Sequence, residues 1–205
     1  MEAILLGLWN YHCVIGTPSD YIVERLRTEI AKFIRTSAHL SNRTSKYVFY
    51  SQEKEGRLGF QDIMARYYAL LIIHYIVRLN QEDWNGLMKE NYINNKLLGK
   101  DMREMANNKN SLAVQVQNVL DRMQLQTVST KSGEIGIKIR DGQTDQVLEI
   151  AASYWRYRRT KSSKTIQDIV LLEQWVQKRC RDTLQKTEDD WIGQYLAKCS
   201  VVSNK

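Results

Sequence analysis

Residues 54–63 read K-E-G-R-L-G-F-Q-D-I and lead into the most apolar stretch of the chain. Gly56 and Gly59 let the backbone turn sharply, because a residue without a Cβ atom adopts positive φ at no steric cost. Asp62 is placed to cap a helix that starts after it. We therefore predict an elbow in the chain, followed by a central, buried helix over residues 62–80.

An earlier helix is predicted from Pro18 to about Arg35. Thr17 stands at the N-cap position, proline occupies the first helical position, and Asp20 supplies the acid of a capping box. Apolar residues at helical spacing give this helix a face that we expect to be buried. Its members are Ile22, Leu26, Ile30, Phe33 and Ile34. The opposite face is rich in arginine and lysine.

Two segments favour β structure. Residues 47–50 are expected to form a short strand, since tyrosine, valine and phenylalanine favour that conformation. Residues 125–140 are expected to form a hairpin, because isoleucines alternate there with glycine, lysine and arginine and a Ser-Gly turn precedes them. That hairpin would have one apolar and one basic face. Leu58 and Phe60, in the elbow, are expected to enter a core.

These patterns predict a mainly α-helical protein, a helical bundle with a short β-hairpin. Further helices are expected over residues 3–14 and from about Thr144, Thr165 and Thr187. A polar stretch with two asparagine pairs precedes residue 111, and we expect a domain boundary there. It would separate residues 1–95 from residues 96–205, the second part holding the hairpin and a basic segment at 154–164.

The sequence has no apolar run long enough to span a bilayer, and its first residues lack the basic region of a signal peptide. Cys13, Cys180 and Cys199 are an odd number without a C-x-x-C pair, so neither a disulfide framework nor a zinc site is expected. We expect an intracellular protein, cytoplasmic or nuclear, with no membrane partner, no metal ion and no other cofactor.

No catalytic motif stands out in the sequence. His12, His39 and His74 have no carboxylate or cysteine partner at a meaningful spacing, and the phosphate-binding glycine loops are absent. The only adjacent aspartates, Asp189 and Asp190, are expected at a helix N-terminus, where the helix dipole accounts for acids. We therefore expect a protein that is not an enzyme by itself.

The net charge of +7 fits either a polyanionic partner or a basic surface that keeps the protein soluble, so the distribution of the charge has to decide. Residues 154–164 read Y-W-R-Y-R-R-T-K-S-S-K, with three aromatic residues among the cations and no acid. Such a segment suits phosphates and stacked bases. The alternative is that its aromatic residues pack inward and its arginines form a solvated face. The predicted contacts are Arg156, Arg158, Arg159, Lys161 and Lys164, with Lys138 and Arg140 of the hairpin on the same surface.

The elbow resembles the K-E-G-G-L-G-x-x-D-[LI] signature that follows the polymerase palm in non-LTR (LINE-type) retrotransposon reverse transcriptases. The order of elements over the first 95 residues is also similar to the thumb of that family. Two positions depart from the pattern: Arg35 stands where the family usually has tryptophan, and Arg57 replaces the second elbow glycine. The paired palm aspartates, which hold two metal ions in the family, have no counterpart here.

The resemblance implies a non-catalytic fragment that grips the backbone of DNA or RNA, as a duplex or heteroduplex, without reading its sequence. On this interpretation the thumb-like region contributes phosphate contacts from Arg25, Arg27, Lys32, Arg35 and Arg43. Two alternatives stay open. The chain is a helical structural or interaction protein of a viral or ribonucleoprotein assembly, with protein partners, or it is part of a longer, active RNA-directed DNA polymerase.

Overall fold

A computed structural model describes residues 19–50, 58–80, 112–131, 133–141, 144–150 and 164–203. The helices in these ranges are α1 (Asp20–Ser37), α2 (Lys46–Tyr50), α3 (Ile63–Asn80), α4 (Leu112–Met123) and α5 (Lys164–Ser203), and the strands are β1 (Leu125–Ser129), β2 (Ile135–Asp141) and β3 (Thr144–Glu149). The predicted fold class is confirmed: the described chain is mainly α-helical with a short antiparallel β element. None of these helices combines the length and apolarity needed to cross a bilayer.

The described chain falls into two compact units. The sheet unit comprises the described residues between 67 and 175, and the helical unit comprises those of 19–66 and 176–203. Helices α3 and α5 each contribute to both units. The predicted helix over 3–14, the boundary near residue 95 and residues 154–163 lie outside the described residues.

Helix α1 differs from its prediction in start and in orientation. Its N-cap is Ser19 rather than Thr17, and no side chain caps it. Its buried residues are Val23, Arg27, Ala31 and Ile34. Of the predicted apolar face, Ile34 is buried and Ile30 packs against the core, but Ile22 and Phe33 are 53% and 58% exposed. The buried face is therefore rotated from the predicted one toward Val23, Arg27 and Ala31.

Residues 46–50 form a helical turn, α2, and the predicted strand was wrong. The carbonyl groups of Val48 and Phe49 accept hydrogen bonds from Leu58 N–H and Phe60 N–H, at 3.1 and 2.9 Å, so the chain after the elbow is held against this turn. Tertiary packing thus outweighs local β-propensity here. The core of the helical unit is formed by Ala31, Ile34, Phe49 and Tyr50, with Ile30, Leu40, Val48, Phe60 and Leu184 packed around them.

Helix α3 begins as predicted, directly after Asp62. The Asp62 carboxylate accepts a hydrogen bond from Met64 N–H at 3.1 Å, which satisfies one of the amide groups that a helix N-terminus leaves without a partner. Nearly every residue of the helix is buried or half-buried, and Arg78 is its one exposed residue. Phe60 also enters the core as predicted, whereas Leu58 is 39% exposed.

The predicted hairpin is confirmed and belongs to an antiparallel sheet of order β1-β2-β3. Leu125 pairs with Ile139 on β2, and Ile137 pairs with Leu148 on β3. The predicted helix near Thr144 was wrong, because residues 144–149 extend as the third strand. Leu148 is fully buried there, between half-buried and exposed neighbours.

Asn80, the last residue of α3, closes one end of this sheet. Its side-chain amide donates to Ile135 O and Ile150 O at 2.9 and 3.0 Å, and its oxygen accepts from Ile135 N–H at 2.8 Å. The Asn80 amide therefore bridges Ile135 on β2 and Ile150, the residue after β3, and supplies the hydrogen bonds that a neighbouring strand would otherwise make.

Helix α5 runs for 40 residues and unites the helices predicted near Thr165 and Thr187. Within the sheet unit, Trp175 Nε1 donates to Met123 O at 2.9 Å, which satisfies a carbonyl at the end of α4. Asp168, also buried, accepts a hydrogen bond from Glu149 N–H at 2.9 Å. The first part of α5 is thereby joined to α4 and β3.

Candidate nucleic-acid interface

The outward face of α1 carries cations and aromatic rings together. Arg25 and Lys32 are exposed on it, and Tyr21 and Phe33 are 73% and 58% exposed. Arg25 and Lys32 lie about 10 Å apart along the helix axis, given a rise of about 1.5 Å per residue. We call this set, with Ile22, the α1 face. It offers cations for phosphates and apolar surface for sugars or bases.

The cations of this region are weakly restrained. Lys32 Nζ lies 2.7 Å from a Glu29 carboxylate oxygen, but both side chains are more than half exposed, so the pair contributes little. Among the described residues, no carboxylate pairs with Arg25. Arg43 is exposed in the turn after α1, where its backbone N–H donates to Ser41 Oγ at 3.2 Å.

Arg27, predicted as a phosphate contact, lies in the core instead and is 7% exposed. Its guanidinium lies 2.5 Å from Asp62 and 3.3 Å from Glu24, and 5.4 Å from the ring centroid of Tyr50. Burial disfavours the charged guanidinium, but the carboxylates of Asp62 and Glu24 outweigh that effect and raise the pKa of Arg27. Its place is therefore structural, joining α1 to the start of α3.

Arg35 also turns toward the protein. Its Nε and Nη2 donate to Thr44 O at 3.0 and 2.7 Å, and its guanidinium carbon lies 5.3 Å from the ring centroid of Phe49. These contacts hold the turn that follows α1 against α2. The predicted phosphate contact at Arg35 would require this arrangement to open.

A salt bridge between Lys46 and Glu24 connects α2 to α1. Lys46 Nζ lies 2.6 Å from Glu24 and 3.1 Å from Thr28 Oγ1. Although burial acts to raise it, the pKa of Glu24 is lowered by the hydrogen bond from Lys46 and by the charges of Arg27 and Lys46. Nothing in the local sequence pattern indicates this pairing, because Glu24 and Lys46 are 22 positions apart.

The outer face of the sheet carries Lys138 and Arg140, as predicted, but it is not purely basic. Asp145 on β3 lies between them, with Lys138 Nζ at 2.5 Å and Arg140 Nε at 3.2 Å. The hydrogen bond from Lys138, helped by Arg140, lowers the pKa of Asp145. Asp145 was not predicted as part of this face, because residues 144–149 were predicted as a helix. Three consecutive exposed residues, 145–147, interrupt the alternation that would have indicated a strand.

Beside these two cations lies a cleft of about 720 Å³ between α4 and the β1 side of the sheet. Its lining combines polar and apolar surface in about equal parts. The lining residues are Gln117, Leu120, Asp121, Gln124, Leu125, Gln126, Thr127, Lys138 and Arg140. We call it the α4–β1 cleft.

The other predicted contacts fall at the edge of the described chain. Arg156, Arg158, Arg159 and Lys161 lie outside the described residues, and Lys164 is described only as the first residue of α5. Their contribution to nucleic-acid binding stays a prediction. The paired aspartates, Asp189 and Asp190, are exposed in the middle of α5 and not at a helix start as predicted.

Among the described residues, no three histidine, cysteine, aspartate or glutamate side chains are grouped as a metal-ion site requires. Comparison with protein-family models, curated proteins and solved structures gives no match. The function of the chain is therefore inferred from its own residues.

Proposed function

We propose that this protein binds a nucleic-acid duplex or heteroduplex through the phosphate backbone, without catalysis, in the manner of the reverse-transcriptase thumb that its first 95 residues resemble. The observation that carries the proposal is the α1 face, where exposed Arg25 and Lys32 stand beside exposed Tyr21 and Phe33. Packing within the described protein does not account for two exposed aromatic rings beside two exposed cations. It suits a polyanion with apolar sugars between its charges.

The elbow supports the resemblance to the thumb. Its aspartate, Asp62, both caps α3 and pairs with Arg27 of α1. Asp62, which occupies the aspartate position of the signature, therefore holds α1, the helix that carries the α1 face. A binding surface mounted on a packed helix loses less conformational entropy on binding than a flexible loop does.

The affinity of such binding falls with salt, because each protein cation that neutralises a phosphate releases a counterion from the nucleic acid. Three exposed cations, Arg25, Lys32 and Arg43, give an expected slope of log K against log salt of about −2 to −3, at about −0.9 for each phosphate neutralised. The basic segment 154–164 would make the slope steeper. Sequence specificity is expected to be weak, because backbone contacts carry no base information.

The test is fluorescence anisotropy of a labelled RNA–DNA heteroduplex titrated with the protein at several salt concentrations. The double variant Arg25→Glu with Lys32→Glu is compared with Lys131→Glu with Lys186→Glu, which makes the same change in net charge at exposed lysines outside the α1 face. We expect the first variant to lose at least tenfold in affinity and to have a salt slope shallower by about 2. Equal losses in both variants, or no binding by the natural chain at low salt, would reject the proposal.

A helical interaction protein is the competing function, and one observation favours it. Trp191 and Ile192 on α5 are 63% and 42% exposed, and apolar groups of this size often mark a protein contact. Light scattering distinguishes the two functions. A molecular mass that rises with protein concentration, together with no affinity for the heteroduplex, would support the interaction protein.

A further inference from the structure

The α4–β1 cleft has a size and a lining that the duplex-binding proposal does not use. Its volume of about 720 Å³ lies within the range of small-molecule sites. All of its lining residues belong to the sheet unit, whereas the α1 face belongs to the helical unit. The cleft can therefore be considered and tested by itself.

One end of the cleft presents an exposed cation. Arg140 is held to Asp145 through its Nε, at 3.2 Å, and no other described residue accepts a hydrogen bond from it. The two terminal amino groups of the guanidinium are thus left for another acceptor, in the fork geometry that binds a phosphate. Lys138 Nζ shares the same carboxylate at 2.5 Å, which places a second cation beside the first.

The remaining groups are those that a nucleoside would use. Asp121 is held by Gln117, whose Nε2 donates to Asp121 Oδ1 at 2.7 Å, and a carboxylate fixed in this way accepts hydrogen bonds from ribose hydroxyls. The amides of Gln124 and Gln126 can both donate and accept, as the edge of a base requires. Buried Leu120 and Leu125 give the cleft an apolar floor.

The backbone at the base of the cleft is also unusual. Gln124 joins α4 to β1 with a φ of 56°, in the left-handed region that glycine normally occupies. Such a conformation is strained for a non-glycine residue, and strained residues are concentrated at functional sites.

We propose that the α4–β1 cleft binds one ribonucleotide, with its phosphate on Arg140 and Lys138, its ribose hydroxyls on Asp121 and its base against the glutamine amides. The ribose and base contacts are what favour a nucleotide over a simple anion, since an inorganic phosphate would gain only the contacts to Arg140 and Lys138. The nucleotide is either a free mononucleotide or one unpaired nucleotide of an RNA strand, and both present the same chemistry. The inference stands without the duplex-binding function.

The experiment is isothermal titration calorimetry of the full chain with adenosine 5′-monophosphate, its 2′-deoxy analogue, adenosine and inorganic phosphate. We expect the ribonucleotide to bind at least tenfold more tightly than adenosine or inorganic phosphate, and more tightly than the deoxy analogue. Arg140→Gln should weaken nucleotide binding at least tenfold, whereas Lys186→Gln, which removes the same charge at an exposed position of α5 outside both proposed sites, should leave it unchanged. Asp121→Asn should remove most of the preference for ribose over deoxyribose.

Equal affinity of inorganic phosphate and nucleotide, or equal affinity of the natural chain and Arg140→Gln, would overturn the proposal. A single-stranded oligoribonucleotide identifies the source of the ligand. If it displaces the mononucleotide and binds more tightly, the cleft holds a nucleotide of a strand, and if it binds more weakly, the ligand is the free nucleotide. Loss of heteroduplex binding in the α1-face variant, with nucleotide binding retained, separates this site from the proposed function.

Discussion

Asp62 and Arg27 form a buried ion pair at 2.5 Å although they stand 35 positions apart in the chain. The same carboxylate accepts the Met64 N–H and so starts α3. Burial raises the pKa of Asp62, and the charge of Arg27 and the Met64 hydrogen bond only partly offset that rise. The pair joins α1 to the start of α3, and we expect its net contribution to stability to be small, because desolvation of both charges opposes their attraction.

Removing one partner of this pair should be costly. Asp62→Ala leaves the Arg27 guanidinium buried without its main partner and removes the cap of α3, so we expect a loss of about 3–5 kcal/mol in the free energy of unfolding. Urea denaturation followed by circular dichroism measures it. Glu29→Gln, which breaks the exposed pair with Lys32, is the control and should cost less than about 1 kcal/mol.

Removing both charges of the pair should cost far less than removing one. In Arg27→Met with Asp62→Leu no buried charge is left alone, and the expected stability is well above that of Asp62→Ala. A double variant as unstable as Asp62→Ala would show that the charges themselves, and not the avoidance of an unpaired one, hold α1 in place.

Asn80 should be as sensitive as a core residue although it is polar. Asn80→Leu leaves Ile135 N–H and the carbonyls of Ile135 and Ile150 without their hydrogen-bond partner. Each buried polar group left unsatisfied lowers the free energy of unfolding by about 1–3 kcal/mol. Urea denaturation gives the total, and hydrogen exchange should show a faster Ile135 amide. Asn118→Leu, at an exposed position of α4, should change stability by less than about 0.5 kcal/mol.

Two glycines should respond to alanine in opposite directions. At Gly136 a Cβ atom would lie 2.7 Å from Leu148 O and 2.9 Å from Thr130 Cγ2, so Gly136→Ala forces the backbone of β3 to move away from β2. We expect a loss of about 1–3 kcal/mol, as for other overpacked sites. At Gly193, inside α5, nothing lies within 4 Å, and Gly193→Ala should stabilise the helix by about 0.5–1 kcal/mol. Thermal unfolding of both variants checks the two signs.

His74 should make the protein less stable in mild acid. Burial, with the charge of Arg78, lowers the pKa of His74 below its usual 6.5. The unfolded chain therefore takes up a proton at a higher pH than the folded chain does. Stability is fully present above pH 6.5 and declines as pH falls toward the lowered pKa of the folded state.

The contribution of His74 is the difference in pH dependence of stability between the natural chain and a variant without this histidine. Urea denaturation at pH 7.5 and pH 5 is compared for the natural chain and for His74→Gln, which does not titrate. The variant should lose less stability over this interval. An identical loss in both proteins would assign the pH dependence to other groups.

Local patterns predicted several elements correctly. Asp62 as the cap of α3, the buried helix after it, and the alternating isoleucines of β2 all depend on residues within a few positions of one another. The predicted strand at 47–50 and helix from Thr144 were wrong, because those residues respond to partners elsewhere in the chain. The turn at α2 receives hydrogen bonds from Leu58 and Phe60, and β3 completes the ladder of β2.

The candidate sites divide in the same way. Composition and local periodicity by themselves predicted a basic, mainly helical protein. The hairpin pattern identified Lys138 and Arg140 as candidate contacts, and the resemblance to the thumb identified Arg25 and Lys32. Only the tertiary structure decided that Arg27 is buried by Asp62, that Asp145 holds Arg140, and that a cleft lies beside it. The physical reason is the sequence distance over which each interaction acts. Capping and periodicity depend on residues within one turn or one strand. The direction of an arginine side chain depends on the position of a carboxylate that is distant in the sequence.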